Sequence, residues 1–220
     1  MLLDDRIRGE IQKRLSGLSR PVTLIYFTQE LECPTCRETG QLLRETAELS
    51  DKIRLEVYNF QLDRDKAEAF QIDKIPATVV MGEKDYGIRF YGIPSGYEFA
   101  TFLDTMLAVS RGDSELAPET REKIRAVTKP LHLQVFVTPT CPYCPAAVRL
   151  AHRMAMESDL IRADMIEATE FPHLVTKYQV RGVPLTVVNE TVFIEGARPE
   201  PQFVDAVLSA LDGSTSEESR

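Results

Sequence analysis

Four cysteines occur in the 220-residue chain, and all fall into two Cys-x-x-Cys pairs, Cys33-Pro34-Thr35-Cys36 and Cys141-Pro142-Tyr143-Cys144. Such a dithiol suits thiol–disulfide exchange, in which one thiolate attacks and a second thiol resolves the mixed disulfide. A two-residue spacer at a helix N-terminus supplies both. Unpaired N–H groups and the positive end of the helix dipole favour the anion on the first sulfur, and the second lies one turn in, facing it. Pro34 and Pro142 suit the start of such a helix, where a missing N–H costs nothing. Cys33 and Cys141 are therefore the expected nucleophiles, and Cys36 and Cys144 the expected resolving thiols. A zinc site is the competing reading, but paired Cys-x-x-Cys ligands are typically about 15–20 residues apart. Here 104 residues intervene, and no His lies within ligand spacing of either pair. No metal and no cofactor beyond the two redox disulfides is expected.

The two pairs are offset by 108 residues, and the same offset carries Phe70-Gln71-Ile72-Asp73-Lys74-Ile75-Pro76-Ala77-Thr78-Val79-Val80 onto the segment from Tyr178 to Val188. Five of these eleven pairs are identical, and three more exchange aromatic for aromatic or Ile for Val. Each second cysteine thus precedes an aliphatic-Pro-x-Thr by the same 40-residue step, to Pro76 and to Pro184. The chain reads as a tandem duplication.

Elements must position these residues, and both halves supply the same order. Apolar runs at 21–28 and 132–138 suit strands buried on both faces. Each leads into its Cys-x-x-Cys and a helix-like stretch. A second strand (53–59; 161–166), another helix (64–72; 171–180), two strands after the proline and a closing helix (96–109; 200–211) follow. An amphipathic helix (2–15; 116–127) precedes each set. The order β-α-β-α-β-β-α is that of a thioredoxin-like unit, so the expected fold is α/β: two tandem thioredoxin-like units, each a central mixed sheet flanked by helices. The polar bridge around Ser110-Arg111-Gly112-Asp113-Ser114 sets expected boundaries at 1–112 and 113–212, with 213–220 a flexible tail.

In the thioredoxin-like pattern the proline of the aliphatic-Pro pair is cis and packs beside the disulfide, leaving the preceding backbone free for an extended substrate. Ile75, Pro76, Val183 and Pro184 are the expected substrate-binding residues. Pro34, Thr35, Pro142 and Tyr143, between the cysteines, are expected to tune the sites. Glu30, Glu32 and Glu38 surround Cys33, with Arg37 the nearby cation, and negative neighbours raise a thiol pKa. Cys141 follows the neutral Thr138-Pro139-Thr140, so it is expected to be the more reactive nucleophile. Glu167, ending a strand, is either a proton acceptor for Cys144 or a solvent-facing or salt-bridged carboxylate. His132, His152 and His173 are expected at the surface or a strand edge.

The composition, 43% hydrophobic and 27% charged, is that of a globular protein. A net charge of −8 disfavours nucleic acid and anionic membrane as partners. No run approaches 18 apolar residues, and the N-terminus lacks the pattern of a signal peptide, so a cytoplasmic protein is expected. There, paired cysteines are more often catalytic or metal-binding than structural.

The run Val135-Phe136-Val137-Thr138-Pro139-Thr140-Cys141-Pro142-Tyr143-Cys144-Pro145 resembles the second active site of the protein disulfide oxidoreductases of thermophilic archaea and bacteria. Gly92-Ile93-Pro94-Ser95-Gly96-Tyr97-Glu98-Phe99-Ala100-Thr101-Phe102 resembles the end of their first unit. The resemblance implies tandem glutaredoxin/thioredoxin-like folds that reduce, form or isomerise protein disulfides, with the Cys-Pro-Tyr-Cys site often dominant. It also implies protein disulfide and dithiol substrates, a thioredoxin-reductase-like flavoenzyme as electron donor and a peroxiredoxin as acceptor. The first site departs from the pattern: Thr35 replaces Tyr, and its approach loop is two residues longer. Two other readings compete with this one, a dedicated electron carrier to a peroxiredoxin and a peptide-binding chaperone module with incidental cysteines.

Overall fold

The computed structural model describes residues 2–211. The expected tail at 213–220, with Asp212 before it, lies outside the described residues. The first half runs α1 (Asp5–Leu15), β1 (Val22–Thr28), α2 (Cys36–Ala47), β2 (Ile53–Asn59), α3 (Arg64–Ala69), β3 (Ala77–Met81), β4 (Asp85–Tyr91) and α4 (Tyr97–Arg111). The second repeats it with α5 (Pro118–Arg125), β5 (Leu131–Val137), α6 (Cys144–Glu157), β6 (Ile161–Glu167), α7 (Pro172–Lys177), β7 (Leu185–Val188), β8 (Val192–Glu195) and α8 (Glu200–Ser209). Arg111 ends α4 where Gly112 adopts the left-handed conformation at φ 68°, a turn that favours glycine.

Local chemistry explains the elements. β1 (VTLIYFT) and β5 (LHLQVFV) are rich in β-branched and aromatic residues and are buried along most of their length, as strands covered on both faces must be. Asp4 caps α1 by accepting from the Ile7 N–H at 2.8 Å, and Pro118 opens α5.

In each half two parallel strands (β1 with β2; β5 with β6) are followed by two antiparallel ones, giving the orders β2-β1-β3-β4 and β6-β5-β7-β8. The two expected sheets do not stay separate. β4 pairs in parallel with β6, Ile88 opposite Ala163 through Tyr91 opposite Ile166, so one eight-stranded sheet crosses both halves. Periodicity within either half could not reveal this seam, because an edge strand and an inner strand of the same burial look alike in sequence.

The seam sets the geometry of everything above it. β4 runs with β1, β6 runs with β5, and the parallel pairing of β4 with β6 makes β1 and β5 run the same way. Both Cys-x-x-Cys loops, which leave the C-terminal ends of β1 and β5, therefore stand at one end of the sheet. One face is covered by α1, α2, α4, α5, α6 and α8, the other by α3 and α7.

Packing at the seam is tight. Phe90 of β4 is fully buried, meets Phe102 of α4 edge to face at 5.2 Å, and meets the ring of His152 of α6 at 4.8 Å. Beneath the opposite face Arg162 donates to the Tyr91 hydroxyl at 2.6 Å and to Asp164, which also lies 2.6 Å from His132 Nε2. Burial alone would raise the Asp164 carboxyl, but His132 and Arg162 outweigh it and hold the group well below the usual range. Because side chains of both halves share this core, the chain should unfold in one cooperative step. Phe90→Ala is expected to cost about 3–5 kcal/mol and to lower Tm by roughly 10 °C. Calorimetry resolving two independent transitions in the wild type would contradict this.

Candidate functional site

The 40-residue step acquires its reason from the sheet. β3 and β7 run antiparallel to β1 and β5, so each strand begins where its neighbour ends: Ala77 pairs with Phe27, and Leu185 with Phe136. Pro76 and Pro184, just ahead, therefore lie against the loops that carry the cysteines. Both Ile75-Pro76 and Val183-Pro184 are cis. No other backbone group among the described residues engages the N–H or C=O of Ile75 or Val183.

Cys33 and Cys36 are joined in a disulfide with Cα atoms 5.4 Å apart, and Cys141 and Cys144 in another at 5.5 Å. In each pair the second cysteine opens its helix, α2 or α6. Exposure is graded within each pair. Cys36 and Cys144 are buried, Cys33 is half-buried, and Cys141 keeps 8% of its surface. Cys141 Sγ accepts the Cys144 N–H at 3.1 Å and lies 3.7 Å from the Val183 carbonyl oxygen. A thiolate at this sulfur would thus receive a helix N-terminal donor.

The residues between the cysteines differ. Pro34 and Pro142 are exposed, and Tyr143 stands 70% exposed beside the second disulfide. Thr35 is half-buried, and its hydroxyl donates to Glu170 from the other half of the chain. The longer first loop pushes Leu31 into solvent and opens a groove beside Cys33 lined by Gln29, Arg37, Arg44, Val57 and Asn59. Glu30, Glu32 and Glu38 are exposed, so solvent and salt screen them from Cys33.

Two expectations about titratable residues are corrected. His152 is buried, not at the surface. It lies on the face of α6 that packs against α4 and β4, its Nδ1 is 3.2 Å from Thr105 Oγ1, and burial pushes its pKa down to about 3. An α6 wedged between sheet and helix buries more of its circumference than a one-sided amphipathic helix does. Glu167 is buried but neither salt-bridged nor solvent-facing. It accepts from the Thr169 hydroxyl at 2.6 Å and from the N–H groups of Thr169 and Glu170 at 3.2 and 3.0 Å, so its own turn consumes it.

Sequence reasoning missed Glu98. Helices α4 and α6 lie side by side and parallel: Tyr97 N–H donates to the Pro139 carbonyl at 3.0 Å, Asp104 lies 3.5 Å from Arg149, and Thr105 reaches His152. Glu98, in the first turn of α4, therefore sits at the end of this interface where α6 begins with Cys144. It is only 1% exposed, and neither carboxylate oxygen has a well-formed hydrogen bond. Burial pushes its pKa up to about 7, against smaller downward pulls from Thr101 and Arg149. Its signal in the sequence was an acidic residue flanked by Tyr97 and Phe99 in an apolar helix. Among the described residues no group of three or more His, Cys, Asp or Glu side chains is disposed to hold a metal ion.

Glu98 has a measurable consequence. The unfolded carboxyl titrates near 4.5 and the folded one near 7, so between these values the folded chain keeps a proton that the unfolded chain releases. The stability this contributes is complete below pH 4.5 and is lost as pH rises through 7. Glu98→Gln should remove a pH dependence on the order of 3 kcal/mol, read by urea unfolding on either side of that window. Equal pH dependence in variant and wild type would exclude the assignment.

Comparison with known proteins agrees with this geometry. A family model described as a thioredoxin domain matches residues 131–209. Among curated proteins, the F component of alkyl hydroperoxide reductase from Escherichia coli (strain K12) is 25% identical over 99% of this chain and 40% of its own length. The chain thus spans about two-fifths of the curated relatives it matches. Among solved structures, the corresponding alkyl hydroperoxide reductase component of Enterococcus faecalis, AhpF, aligns with a TM-score of 0.86 at 26% identity, covering 94% of this chain and 100% of that one. A protein disulfide oxidoreductase from Aeropyrum pernix k1 aligns with a TM-score of 0.92 at 30% identity, covering 100% of this chain and 98% of the other. With two disulfide-forming Cys-x-x-Cys pairs in that shared fold, the chain belongs to the protein disulfide oxidoreductase family.

Proposed function

We propose that the protein exchanges disulfides with protein substrates through both Cys-x-x-Cys centres, the Cys141–Cys144 centre carrying most of the turnover. The observation that carries this reading is the arrangement at Cys141, the more exposed cysteine of the pair, whose sulfur lies between a helix N-terminal N–H and the carbonyl of Val183. In the reducing direction the Cys141 thiolate attacks one sulfur of a substrate disulfide. A mixed disulfide forms and one substrate thiolate leaves. Cys144 then loses its proton, with Glu98 the acceptor, and its thiolate attacks Cys141, releasing the second substrate thiol. The substrate gains two electrons, the protein closes its own disulfide, and an external dithiol restores it. Val183 with Pro184, and Ile75 with Pro76, receive the extended substrate through backbone pairing in the manner of an added strand. Pro142 and Tyr143, like Pro34 and Thr35, shape the approach to the sulfurs. The units 1–112 and 113–212 each hold one centre.

A reducing compartment such as the cytoplasm suits a chain whose cysteines all serve exchange. No helix among the described residues is long and apolar enough to cross a membrane. A second reading, an electron carrier between a thioredoxin-reductase-like flavoenzyme and a peroxiredoxin, draws on the similarity to the alkyl hydroperoxide reductase components. It uses the same chemistry with a different pair of partners.

Insulin reduction with excess dithiol tests the proposal. Wild-type protein should turn over, Cys141→Ser should lose about tenfold or more, and Cys33→Ser should lose less. Absence of wild-type turnover would remove the exchange reading, and peptide binding surviving in Cys141→Ser would separate chemistry from chaperoning. A larger loss in Cys33→Ser than in Cys141→Ser would reverse the ranking of the centres.

A further inference from the structure

The turn after β6 carries a half-buried carboxylate across the boundary between the halves. One oxygen of Glu170 accepts the Ile93 N–H at 2.7 Å, and the other accepts the hydroxyl of Thr35. Thr35 is the N-cap residue of α2 and stands between Cys33 and Cys36. Glu167 presents Glu170 by accepting its backbone N–H. On the other side Gly92 donates to the Pro76 carbonyl at 2.9 Å. Gly92 has φ 89°, and a Cβ there would come within 2.8 Å of the Glu170 carboxylate and 2.7 Å of Glu167 Cβ. Only glycine lets this carboxylate approach. The first Cys-x-x-Cys, the carbonyl of its cis-proline and an acid from the second half thus form one hydrogen-bonded set.

Other charged and titratable groups face the same place. Burial holds the Glu170 carboxyl above its ordinary range, Thr35 and Ile93 pull it back, and Glu167 on its own turn and Glu38 on α2 push it up. Tyr26 of β1 feels its charge, and Arg37 and Arg44 of α2 line the groove that contains Cys33. Glu30 and Glu32 of the approach loop are exposed. Among the described residues, Glu170 is the acid hydrogen-bonded to the first Cys-x-x-Cys itself.

We propose that Glu170 is a positioning residue of the first redox centre, supplied by the opposite half, which holds the Cys33–Cys36 loop through Thr35 and whose negative charge disfavours the Cys33 thiolate. This rests on the redox reading of that centre, and the tests separate the two. In protein retaining Cys33 alone (Cys36, Cys141 and Cys144 each replaced by Ser), ultraviolet thiolate absorbance against pH reports the Cys33 pKa. Glu170→Gln keeps an acceptor for Ile93 and a polar partner for Thr35 while removing the charge. It should lower that pKa by about one. Alkylation by iodoacetamide at neutral pH should then rise roughly three- to fourfold, a tenfold gain in thiolate offset by the weaker nucleophilicity of a more acidic thiol. In protein retaining Cys141 alone, the same substitution should leave the thiol pKa unmoved. An unchanged Cys33 pKa, or an equal change at Cys141, would overturn the proposal.

Should that variant not fold, Thr35→Val answers in its place, since it removes the hydroxyl through which Glu170 is held against the loop. In protein retaining Cys33 alone it should also lower the Cys33 pKa, and in protein retaining Cys141 alone it should leave the thiol pKa unmoved. An unchanged Cys33 pKa in this variant would overturn the assignment. Insulin turnover by Cys141→Ser/Cys144→Ser protein tests the redox reading by itself, since its absence would remove that reading and leave the Cys33 pKa measurement standing.

Discussion

Everything at the working end of this molecule depends on the parallel pairing of β4 with β6. Four short rungs, from Ile88 with Ala163 to Tyr91 with Ile166, turn two repeats into one sheet. Had the halves met antiparallel, their Cys-x-x-Cys loops would point to opposite ends. The seam also fixes α4 beside α6 and seats the turn after β6 against the loop after β4. Backbone hydrogen bonds impose this register, and the interlocked rings of Phe90, Phe102 and His152 prevent it from slipping.

Each half consequently reaches toward the other's Cys-x-x-Cys. Glu98, from the first half, is buried in the first turn of α4, next to Tyr97, which bonds to the Pro139 carbonyl ahead of Cys141. Glu170, from the second half, reaches Thr35 of the first. The two carboxylates differ in how they are held. Glu98 is buried without a well-formed partner, and burial pushes its pKa up to about 7. Glu170 is bonded at both oxygens and acts by position and charge. The segment from Gly92 to Tyr97 links the two arrangements, bonded to the Pro76 carbonyl at one end and to the Pro139 carbonyl, two residues before Cys141, at the other.

What was legible in the sequence was everything that repeats. The 108-residue offset exposed the duplication, the cysteines and prolines declared their spacing, and strand and helix patterns fell close to their observed bounds. What crosses from one half to the other was not legible. Glu98 and Glu170 lie against the opposite repeat, so no offset within the chain pairs them with what they pack against. His152 looked like an ordinary helix-surface residue because the helix that covers it comes from the other half. Around Cys33 the acids near in sequence, Glu30, Glu32 and Glu38, face solvent, whereas the acid bonded to the loop lies 134 residues beyond Cys36. A local reading sees the repeat, while the tuning of each centre is a property of the fused sheet.

The common direction of β1 and β5 sets the reach of the molecule. Four interstrand steps separate them, about 19 Å at the usual sheet spacing, which about six extended residues span. The two cysteine pairs are too far apart to meet each other directly, yet close enough for one unfolded polypeptide to lie across both. Under the proposed exchange, a chain held at one centre would present its next segment to the other by tethered diffusion rather than fresh collision, at the raised effective concentration of a bivalent contact.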